Sequence, residues 1–214
     1  MRKIVPALLF WALLLCAPSA RSQSFTQKNN EFGIWAAYSY GTTEMLSITN
    51  HRQLGVLGFR YGRTLLDWRT VAVEWTVDVD PVEIVVEPQK TIVQHPNGPD
   101  SNLLIESGRW SVYGGGVSPL GVKVNFLPQR RLQVFGATTA GFVASAAPVP
   151  INRVGGTQFN FTFDFQGGIE RFNSTHNRAW MLGYKLQHIS NAARSDVNPG
   201  VTFNMIFLGY SFFK

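Results

Sequence analysis

Residues 158–166 read QFNFTFDFQ, and no other stretch limits the possible folds so sharply. Phe159, Phe161, Phe163 and Phe165 alternate with Gln158, Asn160, Thr162, Asp164 and Gln166. Strand side chains point to opposite faces with period two, so the four rings share one face and the polar groups share the other. On a helix the same rings would be scattered around the axis. Such a strand needs an apolar medium on one side and polar partners on the other.

The pattern recurs along the chain. Phe32, Ile34, Ala36, Tyr38 and Tyr40 alternate with Gly33, Trp35, Ala37 and Ser39, which predicts a first strand. A second is expected over Gly55–Tyr61, followed by a turn at Gly62–Leu66. In a third, Val71, Val73, Trp75, Val77 and Val79 oppose Thr70, Ala72, Glu74, Thr76 and Asp78. Pro81–Gly108, broken by Pro88, Pro96, Asn97-Gly98 and Pro99, reads as irregular, with Val82–Val86 as a short strand extension. Trp110–Phe126 predicts a fourth strand and Arg131–Ser145 a fifth, with a tight turn at Pro128-Gln129 and a loop over Ala146–Gly156. The phenylalanine strand is the sixth. After a turn near Asn173–Asn177 the seventh covers Arg178–Ser190, and the eighth covers Val201–Phe213.

Sixteen Phe, six Trp and twenty Gly, without a second apolar run of helix length, suit an all-β chain. The connections alternate long and short. The strands run to about ten residues, the length that crosses a bilayer when tilted, against five or six in soluble sheets. Together these select an eight-stranded antiparallel transmembrane β-barrel over a soluble sandwich. Glu74, Asp78, Lys123, Asp164, Lys185 and Gln187 then line a narrow interior filled by side chains, without a pore. Phe213 resembles the aromatic end of outer-membrane barrels, although Lys214 follows it.

Residues 1–22 are expected to be a secretory signal peptide. Arg2 and Lys3 precede the apolar run Ile4–Leu15, and Ala20-Arg21-Ser22 supplies a cleavage signal. Leu15 is not the small residue that a lipoprotein box needs before Cys16. Cleavage removes Cys16, leaving a barrel domain over residues 23–214 without disulfide or thiol chemistry. It also removes Arg2, Lys3 and Arg21, lowering the formal charge from +6 to +3. With no basic run or interleaved aromatic platform, nothing points to nucleic acid.

The seventh strand ends in the most chemically suggestive residues, within YKLQHISNAARSDVNPG at Tyr184–Gly200. His188 and Ser190 stand two apart, so they share a face with Cα atoms about 6.6 Å apart, and an imidazole can reach a serine hydroxyl. Below them on that face lie Leu186, Tyr184, Leu182 and Trp180. In the barrel this face looks at lipid, and the pair caps its outer-leaflet end. By spacing alone the pair also fits an ordinary polar rim at the membrane interface. Asn191 follows directly, and its residue type fits the start of an Asx turn. Asn198-Pro199-Gly200 reads as turn chemistry, and Arg194 as a solvated loop residue or a contact to a lipid phosphate. His51, His95 and His176 fall in separate connections without metal spacing, so no metal or organic cofactor is expected.

His188-Ile189-Ser190-Asn191-Ala192, the later Asn198-Pro199-Gly200 and the terminal Gly209-to-Phe212 spacing resemble the lipid A 3-O-deacylase (PagL) family. The segment Gly114-Gly115-Gly116 to Pro119-Leu120-Gly121 is similar to a glycine-rich strand of that family. The resemblance implies an eight-stranded barrel of the bacterial outer membrane. Its substrate would be lipid A of lipopolysaccharide, relieved of the ester-linked 3-hydroxyacyl chain at position 3. It assigns Ser190 as nucleophile, His188 as general base and Asn191 to the oxyanion hole. The family's third member is a Glu two residues beyond the final loop glycine, and here that position is Thr202. Thr202 or Asn204 on the eighth strand, Asp196 in the loop, or no third member at all then remain as the readings for the imidazole's partner. The missing carboxylate also supports a second reading, a non-catalytic barrel that binds lipid or shapes the envelope.

Overall fold

The computed structural model describes residues 30–47, 49, 51–94, 102–151 and 154–214. The expected leader, and the breakers Pro96 to Pro99 with His95, lie outside the described residues. The strands are β1 (Asn30–Thr42), β2 (Gln53–Asp67), β3 (Val71–Gln94), β4 (Asn102–Phe126), β5 (Leu132–Val149), β6 (Thr157–Phe172), β7 (Arg178–Ser190) and β8 (Val201–Phe213). Each pairs antiparallel with its neighbour, and β1 pairs with β8 from Glu31↔Phe213 to Thr42↔Phe203, which closes the barrel. Closure satisfies every strand edge internally, the condition for crossing hydrocarbon with β-structure.

The alternation sorts the side chains as the periodicity requires. Phe159, Phe161, Phe163 and Phe165 are exposed on the outer surface, as are Ile34, Leu120, Val122, Leu182, Ile206 and Leu208. Glu74, Asp78, Lys123, Asp164, Lys185 and Gln187 are all buried inside. They pair there: Lys123 Nζ lies 2.9 Å from Glu31 and 3.1 Å from Glu170, Lys185 Nζ 2.8 Å from Asp164, and Arg60 grips Asp78 through two 2.7 Å bonds. The interior is not polar throughout. Leu54, Val56, Val85, Val143, Ile151, Ile189, Val201 and Phe203 belong to one apolar cluster.

Several expectations need correction. Gly62–Leu66 is strand, not turn, and the chain reverses over Trp68–Thr70 instead. Its residues pair with β3, from Gly62↔Thr76 to Leu66↔Val73, with a bulge absorbing the irregularity. Pro81–Gly108 is likewise mostly ladder, because β3 and β4 run on together as far as Gln94↔Asn102. Register shifts at Asp80/Glu83 and Pro88/Lys90 accommodate the two prolines, which cannot donate to a ladder but are tolerated at bulges. β5 continues to Val149, shortening the expected loop. Phe213 points inward against Phe172 and Ala179, and Phe212 is the exposed terminal aromatic.

Asn30, Lys214 and the short turns at 68–70, 127–131 and 173–177 share one end of the barrel. The longer connections share the other, and β7 carries its C-terminal His188 and Ser190 to that end.

Candidate active site

Three adjacent strands assemble the site. His188 stands opposite Phe163 of β6 and Thr202 of β8, and Ser190 stands opposite Phe161. All are on the outward face, and His188 and Ser190 are each half-buried. The phenylalanine strand thus forms an apolar wall beside both polar groups, with Phe163 and Phe165 packed edge to face at 4.8 Å. His188 Nδ1 lies 2.9 Å from Thr202 Oγ1. Thr202 is fully buried despite facing outward. The Ser190 hydroxyl makes no hydrogen bond to a described residue, His188 included.

Of the other candidates for the imidazole's partner, Asn204 is occupied elsewhere, because its Oδ1 accepts the Tyr184 hydroxyl. Asp196 is exposed in the loop. Thr202 is the residue that the register brings to the ring.

Asn191 is buried and turned into the loop. Its amide nitrogen lies 2.8 Å from the Gly155 carbonyl, 2.8 Å from Ser195 Oγ and 2.9 Å from the Val197 carbonyl. Three acceptors therefore share two amide hydrogens, and its backbone N–H donates to Asn198 Oδ1 at 3.3 Å. The side chain clamps the 191–200 loop, a role nearer to the expected loop-starting turn than to a free oxyanion donor. Beyond it Ala192 (φ 51°) and Ala193 (φ 58°) both adopt the left-handed region, at a cost of roughly 1–2 kcal/mol per residue.

Contacts with no sequence signal hold this loop. Thr49, in the β1–β2 connection, donates to the Pro199 carbonyl at 3.0 Å, and the Thr43 N–H donates to the Thr202 carbonyl. Gly200 (φ 48°) backs the imidazole so closely that a Cβ there would lie 3.0 Å from His188 Cε1. A Cβ on Gly155 (φ 85°), in the β5–β6 connection, would fall 2.0 Å from the Val197 carbonyl oxygen. The expectation of turn chemistry for Asn198-Pro199-Gly200 thus omitted half of its role, which is to pack against the histidine. Arg194 is not simply solvated: its guanidinium lies 5.3 Å from the Phe159 ring and 5.9 Å from Phe161, at the site's apolar wall. Among the described residues no group of His, Cys, Asp and Glu is arranged to hold a metal.

A closed barrel with an apolar outer belt and a paired polar interior defines a barrel of the outer-membrane kind, and this one carries a histidine and a serine at one lipid-facing rim. The chain belongs to the lipid A 3-O-deacylase (PagL) family, whose model matches residues 70–211. Among solved structures it is similar to the outer membrane enzyme PagL, at 15% identity and a TM-score of 0.55 over 84% of this chain and 98% of that one. Neisserial surface protein A gives 10% identity and a TM-score of 0.49, covering 86% of this chain and 96% of that one. The Yersinia pestis attachment invasion locus protein Ail gives 9% and 0.42, over 87% and 98%. No curated protein matches the chain. Family, closed topology and apolar belt together place this lipid A deacylase-like protein in the bacterial outer membrane.

Proposed function

We propose that the protein is a serine esterase that removes an ester-linked 3-hydroxyacyl chain from lipid A. The observation that carries this reading is the row Ser190, His188 and Thr202 at the lipid-facing rim, with the imidazole tied to Thr202 through Nδ1 at 2.9 Å. With the ring proton at Nδ1 donated to the threonine oxygen, Nε2 is the free base. It takes the Ser190 proton as Oγ attacks the ester carbonyl, and returns it to the departing sugar hydroxyl. Water, activated by the same base, then releases the 3-hydroxy acid and restores the serine. Asn191 acts here by shaping the loop beyond Ser190 rather than by donating its amide to the oxyanion. The phenylalanine wall of β6 receives the acyl chain. No step draws on a metal or organic cofactor.

The test is mass spectrometry of lipid A from cells expressing the wild type or Ser190→Ala. Loss of one hydroxyacyl chain with the wild type alone is expected. An unchanged spectrum from demonstrably folded wild-type protein would overturn the reading. The uncharged Thr202 favours one alternative, a non-catalytic lipid-binding barrel. A fluorophosphonate probe separates the two: labelling of Ser190 that His188→Ala abolishes excludes the non-catalytic barrel.

A further inference from the structure

The opposite end of the same strand carries a second, unrelated constellation. Where the short turns lie, a hollow of about 420 Å³ opens between β6, β7, β8 and the β4–β5 turn. Arg131, Arg171 and Arg178 converge on it with Asn173, beside Trp180 and Tyr210, and no carboxylate lines it among the described residues. The register explains the convergence. Arg171, Trp180 and Tyr210 are direct cross-strand neighbours on the outward face, and Arg178 lies one step nearer the rim opposite Phe212. Arg131 enters from the turn, its carbonyl accepting the Phe172 N–H.

We propose that this hollow binds the phosphodiester headgroup of an anionic glycerophospholipid in the inner leaflet. Three arginines line one hollow, and none forms a salt bridge with a described residue, whereas Arg60, Lys123 and Lys185 inside the barrel are each paired. An anion in the hollow balances their charge, and guanidinium forks match phosphate oxygens. The aromatic residues set the depth: Trp180 and Tyr210 pack at 4.8 Å, and Arg178 sits 5.9 Å above the Phe212 ring, the arrangement expected at headgroup level. The surface above the hollow identifies a lipid rather than a free anion. The next outward row toward the membrane centre is Val134↔Ile169↔Leu182↔Leu208, four exposed apolar side chains against which acyl chains can lie. Short turns mark this end as periplasmic, so the leaflet is the one built from glycerophospholipids. The site is ten residues along β7 from Ser190, about 33 Å of strand, and its function does not depend on the esterase reading.

The full-length mature protein, purified and exchanged into mixed micelles of defined lipid, is analysed for retained lipid by native mass spectrometry. Phosphatidylglycerol is expected to be retained at least tenfold over phosphatidylethanolamine. The Arg131→Gln, Arg171→Gln, Arg178→Gln triple variant is expected to lose that preference, while Arg63→Gln, Arg69→Gln, Arg109→Gln, with the same charge loss elsewhere, keeps it. If the triple variant fails to fold, Arg171→Gln alone should lower retention severalfold. Equal retention of the two lipids, or a preference that survives loss of the arginines, overturns the proposal. So does displacement by millimolar inorganic phosphate as effective as by phosphatidylglycerol, which would mark a free-anion site.

Discussion

A threonine hydroxyl 2.9 Å from an imidazole Nδ1 fixes the rotation of the ring as a carboxylate would, but leaves the imidazolium uncompensated when it forms. Two substitutions separate these contributions. Thr202→Val keeps the shape and removes one neutral hydrogen bond worth roughly 0.5–1.5 kcal/mol, so lipid A deacylation should fall roughly two- to tenfold. Thr202→Glu restores an anionic partner, and a charge-assisted bond is stronger than a neutral one, so turnover should rise. Comparing deacylation rates of the two variants in one detergent assay checks both. A folded Thr202→Glu protein with unchanged rate would point to another residue as the orienter. Gly200→Ala probes the other side of the ring. It adds a Cβ 3.0 Å from His188 Cε1 at a position with φ 48°, so the imidazole must move. Its rate should fall further than that of Thr202→Val, while the heat-modifiable gel mobility of the barrel stays unchanged.

Periodicity works where a strand has one medium on each face, and that decides which elements were legible beforehand. β7 and β8 lie at Arg178–Ser190 and Val201–Phe213, the bounds that alternation alone predicts. Their register brings His188 to Thr202, so two of the three candidate residues came from spacing and the third from a family position. Beyond the bilayer the medium is water on both sides and the alternation fades, so Pro81 and Pro88 looked like strand ends when they sit at bulges. The loop clamp was invisible for a different reason. Thr49, Gly155 and Asn191 meet through contacts between connections distant in sequence, which no local pattern encodes. That clamp can be tested as a unit. Gly155→Ala places a Cβ 2.0 Å from the Val197 carbonyl and forces a left-handed φ on alanine, separating two connections. Limited proteolysis should then cut within residues 191–200 faster than in the wild type, with deacylation reduced and the strands resistant.

The molecule as a whole turns an apolar belt to lipid and packs its charges inside beside one apolar cluster, so its stability turns on how those charges are matched. Lys123 is the junction. Fully buried, it lies 2.9 Å from Glu31, 3.1 Å from Glu170 and 3.8 Å from Glu74, and its ammonium also lies 5.5 Å from the centre of the Phe135 ring. The three carboxylates come from β1, β3 and β6, so this one side chain on β4 links strands around the barrel that do not pair with it directly, as well as its neighbour β3. Lys123→Met keeps most of the volume but leaves three acids together without their cation. Breaking a buried pair in this way costs about 3–5 kcal/mol, and urea unfolding from lipid vesicles should show a midpoint lowered accordingly. Adding Glu31→Gln to Lys123→Met removes one of the uncompensated charges and should recover part of the loss, which a merely steric defect would not allow. The junction lies at the end of the barrel remote from His188 and Ser190. The folded fraction of Lys123→Met should therefore deacylate lipid A at the wild-type rate, separating the stability of the barrel from the chemistry at its rim.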